Sequence, residues 1–230
     1  SYSTERAPIA RQIVTRANQS IAEFGPIFEA LGMDGGVDHD RIEASMAARC
    51  DATPAGEAQR EALRKAIDAK VYEFDCHGVE MNQRYTSGAV VSDGSTAPVN
   101  DNMELYYHPT TTPGARLPHA WVYDRNGTKY STLDLCGKGQ FTLITGIGGE
   151  AWVKAAEAAA KALNLPVRAI TIGPRADYED HVGDWHKVRD IKDGGCLLVR
   201  PDQHVAWRSQ TASATATADL TRTLRAILGH

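Results

Sequence analysis

The sequence predicts an α/β protein with a thioredoxin-like C-terminal domain preceded by helices and loops. Three observations predict this class. Up to about residue 71, apolar residues recur every three or four positions, which is typical of amphipathic helices. Residues 72–112 are rich in turn residues and predict a loop-rich segment that wraps another surface. From about residue 118, the order strand, helix, strand, hairpin, helix is that of a thioredoxin-like domain.

The first three predicted helices cover residues 4–24, 40–49 and 54–71. Pro8 places the regular part of the first helix close to it, since proline is tolerated in a first turn, and Gly25-Pro26 ends that helix. Thr53-Pro54 predicts an N-cap followed by proline at the first position of the third helix. The predicted buried faces are Ile9, Ile13, Ala17, Ile21 and Phe24, and then Ala58, Ala62, Ala66, Ile67 and Val71.

The segment 72–112 is expected to contain short extended pieces at residues 72–74 and 84–85, with turns at 92–95 and 109–114. Strands are then expected at 120–123 and 130–135 around an Asn126-Gly127 hairpin turn, and at 141–145 and 167–172 around a helix at 150–163. The last two strands of this set should pair in parallel. A hairpin of strands 196–199 and 205–207, turning at Pro201-Asp202, and a helix at 218–228 complete the prediction.

Composition and charge exclude several function classes. The chain of 230 residues is 42% hydrophobic and 23% charged, which is typical of a soluble globular protein, and its net charge of -4 gives no reason to expect a nucleic-acid or anionic-membrane partner. Four separated cysteines without a Cys-x-x-Cys pair indicate free thiols in a reducing, cytoplasmic compartment. His181 and His186 are expected in a polar loop, and no metal site is predicted.

The glycine-rich stretch after the strand at 141–145 has the formal pattern G-x-G-x-x-A at residues 146–151. That pattern can bind a dinucleotide, but the next strand ends without the acidic residue that would hold a ribose. We therefore interpret it as a tight strand-to-helix turn. A thioredoxin would carry its reactive Cys-x-x-Cys pair here, and its absence excludes dithiol redox chemistry.

Several stretches together resemble the single-component flavoprotein aromatic hydroxylases, and among them the phenol and chlorophenol hydroxylases. The similar stretches are Tyr2-Ser3-Thr4-Glu5-Arg6-Ala7-Pro8, Arg16–Ser20, Tyr72–Tyr85, Pro113–His119, Ser131–Leu135 and Leu198–Arg208. The resemblance implies the C-terminal part of an enzyme that uses FAD, NAD(P)H and dioxygen to hydroxylate a phenol in the ortho position. Residues 1–100 would complete the FAD- and substrate-binding region, and residues 101–230 would form the thioredoxin-like domain.

The resemblance also implies that FAD is held mainly by an N-terminal portion absent from this sequence, so we expect no catalytic residue among these 230 positions. A first residue other than methionine is likewise expected of a truncated or processed product. The implied partners are that N-terminal portion, a phenolic substrate and further copies of the enzyme. Cofactor-binding residues are not assigned, but five residues are predicted to face the FAD portion: Met81, Asn82, Gln83, Arg84 and Tyr85.

An alternative is a free-standing, non-catalytic thioredoxin-like module for interaction or dimerisation. The first 100 residues argue against it, because an independent module would not carry three helices and a wrapping loop without a sheet of their own. Without a partner surface, those helices are expected to expose apolar area.

Overall fold

The computed structural model describes residues 1–36, 38–96, 98–99 and 101–230, which form two units that interleave along the chain. One unit comprises residues 8–80 and 102–107, and the other comprises residues 1–7, 81–101 and 108–230. We refer to them as the helical unit and the sheet unit. The division at residue 100 that the sequence suggested stays a prediction.

Helices dominate the first third of the chain. They are α1 (Tyr2–Ala22), α2 (Gly25–Ala30), α3 (His39–Ala48), α4 (Pro54–Asp68), α5 (Val71–Phe74) and α6 (His77–Met81). The caps of α3 and α4 follow from the sequence, because the Asp38 and Thr53 side chains accept hydrogen bonds from the backbone amides of Arg41 and Gly56, each at 3.1 Å. None of the described helices is long and apolar enough to cross a membrane.

Two predictions for this region were wrong. Helix α1 begins at Tyr2, so that Pro8 lies inside it rather than in its first turn. Residues 72–74 are helical rather than extended, because the Asp75 amide bonds to the Val71 carbonyl at 2.8 Å and closes a further helical turn.

The predicted buried faces were only partly right. On α1, Ile9 is buried whereas Ile13 and Ile21 are exposed, and Phe24, just after the helix, is exposed as well. On α4, Ala66 is buried and Ile67 is exposed. The helical unit therefore presents apolar side chains to its surface.

The sheet unit contains two sheets. Its strands are β1 (Trp121–Asp124), β2 (Lys129–Ser131), β3 (Phe141–Thr145), β4 (Val167–Thr171), β5 (Tyr178–Glu179), β6 (Cys196–Val199) and β7 (Val205–Ser209), and its helices are α7 (Thr132–Leu135), α8 (Glu150–Leu163), α9 (Asp184–Val188) and α10 (Ala216–Leu228). A small antiparallel sheet has the order β2-β1-β5, and a mixed sheet has the order β4-β3-β6-β7. The parallel pairing of β3 with β4 and the β6–β7 hairpin confirm the prediction.

The mixed sheet is buried on both faces, which explains the uninterrupted burial of β3. Leu143 and Leu198 point to one face, where they pack with α8 and α10. Ile144 and Leu197 point to the other face, where they join Val122 of β1.

Two elements of the sheet unit differ from the prediction. The strand expected to run to residue 135 ends at Ser131, because Ser131 and Asp134 form a capping box that starts α7. The expected polar loop at His181 and His186 instead contains α9, and the Asp180 side chain accepts a hydrogen bond from the His186 amide at 2.8 Å.

Gly114 is required by both conformation and space. Its φ is +92°, and a Cβ there would lie 2.2 Å from the Tyr85 carbonyl oxygen. We expect Gly114→Ala to destabilise the chain by about 3 kcal/mol or more, because strain of the left-handed conformation and a backbone clash add together. Urea unfolding of the wild type and of Gly114→Ala measures this difference in the free energy of unfolding.

Gly127→Ala is the matched control, since Gly127 has a φ of +79° but open space around its Cβ position. The conformational strain alone should cost about 1–2 kcal/mol there. Equal losses in the two variants would contradict the role of the clash at Gly114.

Candidate functional site

The segment at residues 81–85 lies in the sheet unit and is half-buried up to Arg84. The Asn82 side-chain oxygen accepts a hydrogen bond from the His108 amide at 2.9 Å. Arg84 forms an isolated antiparallel bridge with Ala115, and burial lowers the pKa of its guanidinium group. These contacts hold the segment against the entry to the sheet unit.

Tyr85, the last residue of this segment, is buried among charged groups. Its ring stacks on that of His204 with centroids 4.1 Å apart, and its hydroxyl accepts a hydrogen bond from Arg6 at 2.8 Å. The guanidinium carbon of Arg200 lies 5.4 Å from the centroid of the same ring. Tyr85 thereby connects the first turn of α1 with the β6–β7 turn.

Arg200 pairs with two carboxylates at once. Its Nη1 and Nη2 donate to the two carboxylate oxygens of Glu5 at 2.5 and 2.9 Å, and its Nε and Nη2 donate to those of Asp202 at 3.1 and 2.7 Å. The Ser87 hydroxyl donates to Glu5 as well, at 2.5 Å. We call this set the Arg200 cluster: Glu5, Arg6, Tyr85, Ser87, Arg200, Asp202 and His204.

The tight turn between β6 and β7 aims Arg200 at this cluster. Arg200 directly follows the last residue of β6, and its amide bonds to the His204 carbonyl at 2.7 Å. Gln203 closes the turn with a φ of +68°, and Asp202 accepts a hydrogen bond from the His204 amide at 3.3 Å. The turn holds both the guanidinium and one of its two carboxylate partners.

The cluster favours the ionised form of its carboxyl groups. The hydrogen bond from Arg200 is the main reason that the pKa of Glu5 is lowered, and it outweighs burial, which acts in the opposite direction. Burial is also the largest influence on Asp202, but hydrogen bonding to His204 and the charge of Arg200 together outweigh it and lower the pKa to about 2. Glu5 and Asp202 are therefore charged partners of Arg200 at neutral pH.

The sequence prediction missed this cluster. Arg200-Pro201-Asp202 was interpreted as a hairpin turn alone, and Glu5 as part of a separate stretch at the other end of the chain. The two residues are 195 positions apart, so no spacing rule connects them. The available signal was only that Glu5 and Arg200 each lie in a stretch that resembles the aromatic hydroxylases.

The glycine-rich turn at residues 146–149 is packed tightly at two of its three glycines. Glycines in a dinucleotide-binding turn leave room for a ligand to approach the backbone. Here a Cβ at Gly146 would lie 2.6 Å from the Asp193 carbonyl oxygen, and one at Gly149 would lie 1.9 Å from Thr145 Oγ1. The protein itself fills the space beside these two glycines, whereas the space beside Gly148 is open. The next strand ends without the acidic residue that would hold a ribose, which favours a structural turn.

His181 and His186 line a cleft of about 410 Å³ beside Ile172 and Trp185. His181 stacks on Tyr123 with centroids 4.5 Å apart. In the part of the chain that the structure describes, no group of three or more histidine, cysteine or acidic side chains is placed to hold a metal ion.

The family model for the C-terminal domain of aromatic-ring hydroxylases matches residues 110–230. The chain belongs to this family. It is 49% identical over its whole length to 2,4-dichlorophenol 6-monooxygenase of Cupriavidus pinatubonensis and 45% identical over 93% of its length to phenol 2-monooxygenase of a Pseudomonas species. It covers 39% and 35% of these two relatives, so it spans well under half the length of the curated proteins it matches.

A solved structure of the flavin-dependent monooxygenase PieE in complex with FAD and substrate is also similar to this aromatic-ring hydroxylase chain. The TM-score is 0.93 at 39% identity, with 99% of this chain and 39% of PieE covered. The matched family domain contains Arg200 and Asp202, whereas Glu5 and Tyr85 precede it. The Arg200 cluster thus joins the family domain to residues outside it.

Proposed function

We propose that this chain is the C-terminal portion of an FAD-dependent monooxygenase that hydroxylates phenols, including chlorophenols, in the ortho position to give catechols. NAD(P)H and dioxygen are the co-substrates. The observation that carries the proposal is the 49% identity with 2,4-dichlorophenol 6-monooxygenase along the whole chain. The 45% identity with phenol 2-monooxygenase supports the same substrate class.

FAD is assigned to the portion of the enzyme outside this chain. The turn at residues 146–149 is not assigned to it, because the strand that follows ends without the acidic residue that holds the ribose of a dinucleotide. When bound, the flavin supplies the activation of dioxygen, and the protein orients the ring and excludes water. We assign no catalytic residue to the chain.

Residues 101–230 are proposed to form a thioredoxin-like domain that serves a structural role. The succession β3-α8-β4-β5-α9-β6-β7-α10 and the order β4-β3-β6-β7 in the mixed sheet support this assignment. A dithiol function is not proposed, because glycines occupy the turn before α8. Cys136 is buried, and this burial raises the pKa of its thiol to about 12, which opposes formation of a reactive thiolate.

The flavin-binding portion of the same enzyme is the proposed partner of the helical unit. Val14 is 58% exposed, Ile21 71% and Phe74 76%, which is a large apolar exposure for three side chains of one unit. The relatives are more than twice as long as this chain, so they include enough polypeptide to cover these residues. We propose that residues 81–85 face that portion too.

The complete enzyme is proposed to be a cytoplasmic homo-oligomer. The described cysteines are all free thiols, which supports a reducing compartment. The boundary between the FAD- and substrate-binding region and the thioredoxin-like domain is proposed near residue 100.

The test begins with the visible absorption spectrum, intact mass and denaturing gel of the native protein. We expect oxidised-flavin absorption, a polypeptide larger than 24.9 kDa and NAD(P)H oxidation stimulated by phenol or 2,4-dichlorophenol, with a catechol as product. Light scattering on the same sample measures the oligomeric state. A colourless, monodisperse 24.9 kDa protein would contradict the proposal and favour the free-standing module.

A further inference from the structure

We propose that Arg200 and Glu5 are positioning residues that fix the first turn of α1 and, through it, the flavin-binding portion of the enzyme. This inference rests on the proposed function, in which that portion precedes α1 in the complete polypeptide. Its consequence is that Arg200, which lies 195 positions from Glu5 in the sequence, controls how firmly FAD is held without contacting it.

The first turn of α1 is held by side chains on two consecutive residues. Glu5 is 5% exposed and accepts hydrogen bonds from Arg200 and Ser87, while Arg6 donates to the buried Tyr85. These contacts attach the turn both to the β6–β7 turn and to residues 85–87, so together they restrict its position and its rotation.

The helix itself holds this turn less firmly than an ordinary first turn. Proline has no backbone N–H. Pro8 therefore cannot donate the hydrogen bond that the amide of residue 8 would make to the Thr4 carbonyl in a regular helix. Side-chain contacts to Glu5 and Arg6 therefore carry more of the positioning than they would in a helix without this proline.

The contact between Arg200 and Glu5 also demands a particular side chain. A guanidinium is planar and binds a carboxylate through two parallel hydrogen bonds, which sets an angle as well as a distance. The Arg200 side chain is 11% exposed and that of Glu5 4%, so little water is available to replace either partner. A lysine at position 200 would keep the charge and lose the angle.

The experiment uses the complete flavin-containing enzyme with Arg200→Lys, Arg200→Gln and Glu5→Gln, and measures the Kd for FAD after the apoenzyme is prepared. Two controls separate positioning from other effects. Ile144→Val removes one methyl group from the buried core far along the sequence from α1 and reports the effect of lost stability. Arg222→Gln removes an arginine that is 74% exposed and reports the effect of lost charge.

We expect each Arg200 variant to bind FAD more than tenfold more weakly than Ile144→Val does, with a lower ratio of catechol formed to NAD(P)H consumed. The lysine variant should resemble the glutamine variant. Arg200 variants within tenfold of Ile144→Val, or a lysine variant that binds FAD like wild type, would overturn the inference. If the Arg200 variants do not fold, Glu5→Gln decides by the same threshold. A wild-type enzyme without flavin or phenol-stimulated NAD(P)H oxidation would instead refute the proposed function.

Discussion

Replacing Arg208 by methionine is expected to destabilise the chain by about 3–5 kcal/mol, because it leaves a carboxylate buried without its partner. The Arg208 side chain is 5% exposed and that of Asp93 10%. Arg208 Nε donates to Asp93 Oδ2 at 2.5 Å, and the two terminal nitrogens donate to Thr111 at 3.1 Å and to Ser95 at 2.9 Å. One side chain of β7 thereby holds two separate loops.

Urea unfolding at neutral pH measures this loss. Arg222→Met is the control, because Arg222 is 74% exposed and its substitution should change the free energy of unfolding by no more than about 0.5 kcal/mol. The double variant Arg208→Met, Asp93→Asn should recover part of the loss, since it buries no unpaired charge. A loss of less than 1 kcal/mol in Arg208→Met would show that the two loops are held by other contacts.

The mixed sheet and its helices were predictable because their signals are local. Phe141–Thr145 is a short apolar run, and Glu150–Leu163 is rich in alanine with an apolar stripe, so each element is specified by its own residues. The parallel pairing of β3 and β4 then follows from the handedness of the crossover. These elements agree with the prediction to within two residues at each end.

The helical unit was predicted less well because its packing is not a local property. Periodicity identified an apolar stripe on α1 but gave no information on which surface covers it. Ile21, which belongs to that stripe, is 71% exposed. Pro8 was wrongly used to set the start of α1. A single proline indicates a missing hydrogen bond, and the side-chain contacts of Glu5 and Arg6 hold the turn that precedes it.

The Arg200 cluster marks the limit of what the sequence could predict about the site. Motif resemblance picked out the stretches that contain Glu5, Tyr85 and Arg200, but it gave no reason for them to meet. Their contacts depend on the β6–β7 turn, on the close approach of Gly114 to Tyr85 and on the direction of α1. Each of these is set by the tertiary fold rather than by neighbours in sequence.

Truncating Trp152 to alanine is expected to destabilise the chain by about 3–5 kcal/mol, the usual range for removing a large aromatic side chain from a core. Trp152 lies in α8, is fully buried, and belongs to the core cluster that also contains Leu198, Leu220 and Leu224. Removing the indole would leave a cavity between α8, α10 and the mixed sheet.

The indole also makes a directed contact, since its Nε1 donates to the Gly194 carbonyl at 3.1 Å in the turn before β6. Trp152→Phe keeps most of the packing and removes this hydrogen bond. This variant should therefore lose about 1 kcal/mol of stability for the hydrogen bond and a little more for the small cavity that the smaller ring leaves. Trp121→Ala is the matched control, because Trp121 is 37% exposed on the small sheet. Thermal and urea unfolding followed by circular dichroism should rank the variants Trp152→Ala, Trp152→Phe, Trp121→Ala from least to most stable. If Trp121→Ala were as destabilising as Trp152→Ala, the mixed-sheet core would not be the principal source of stability that its burial indicates.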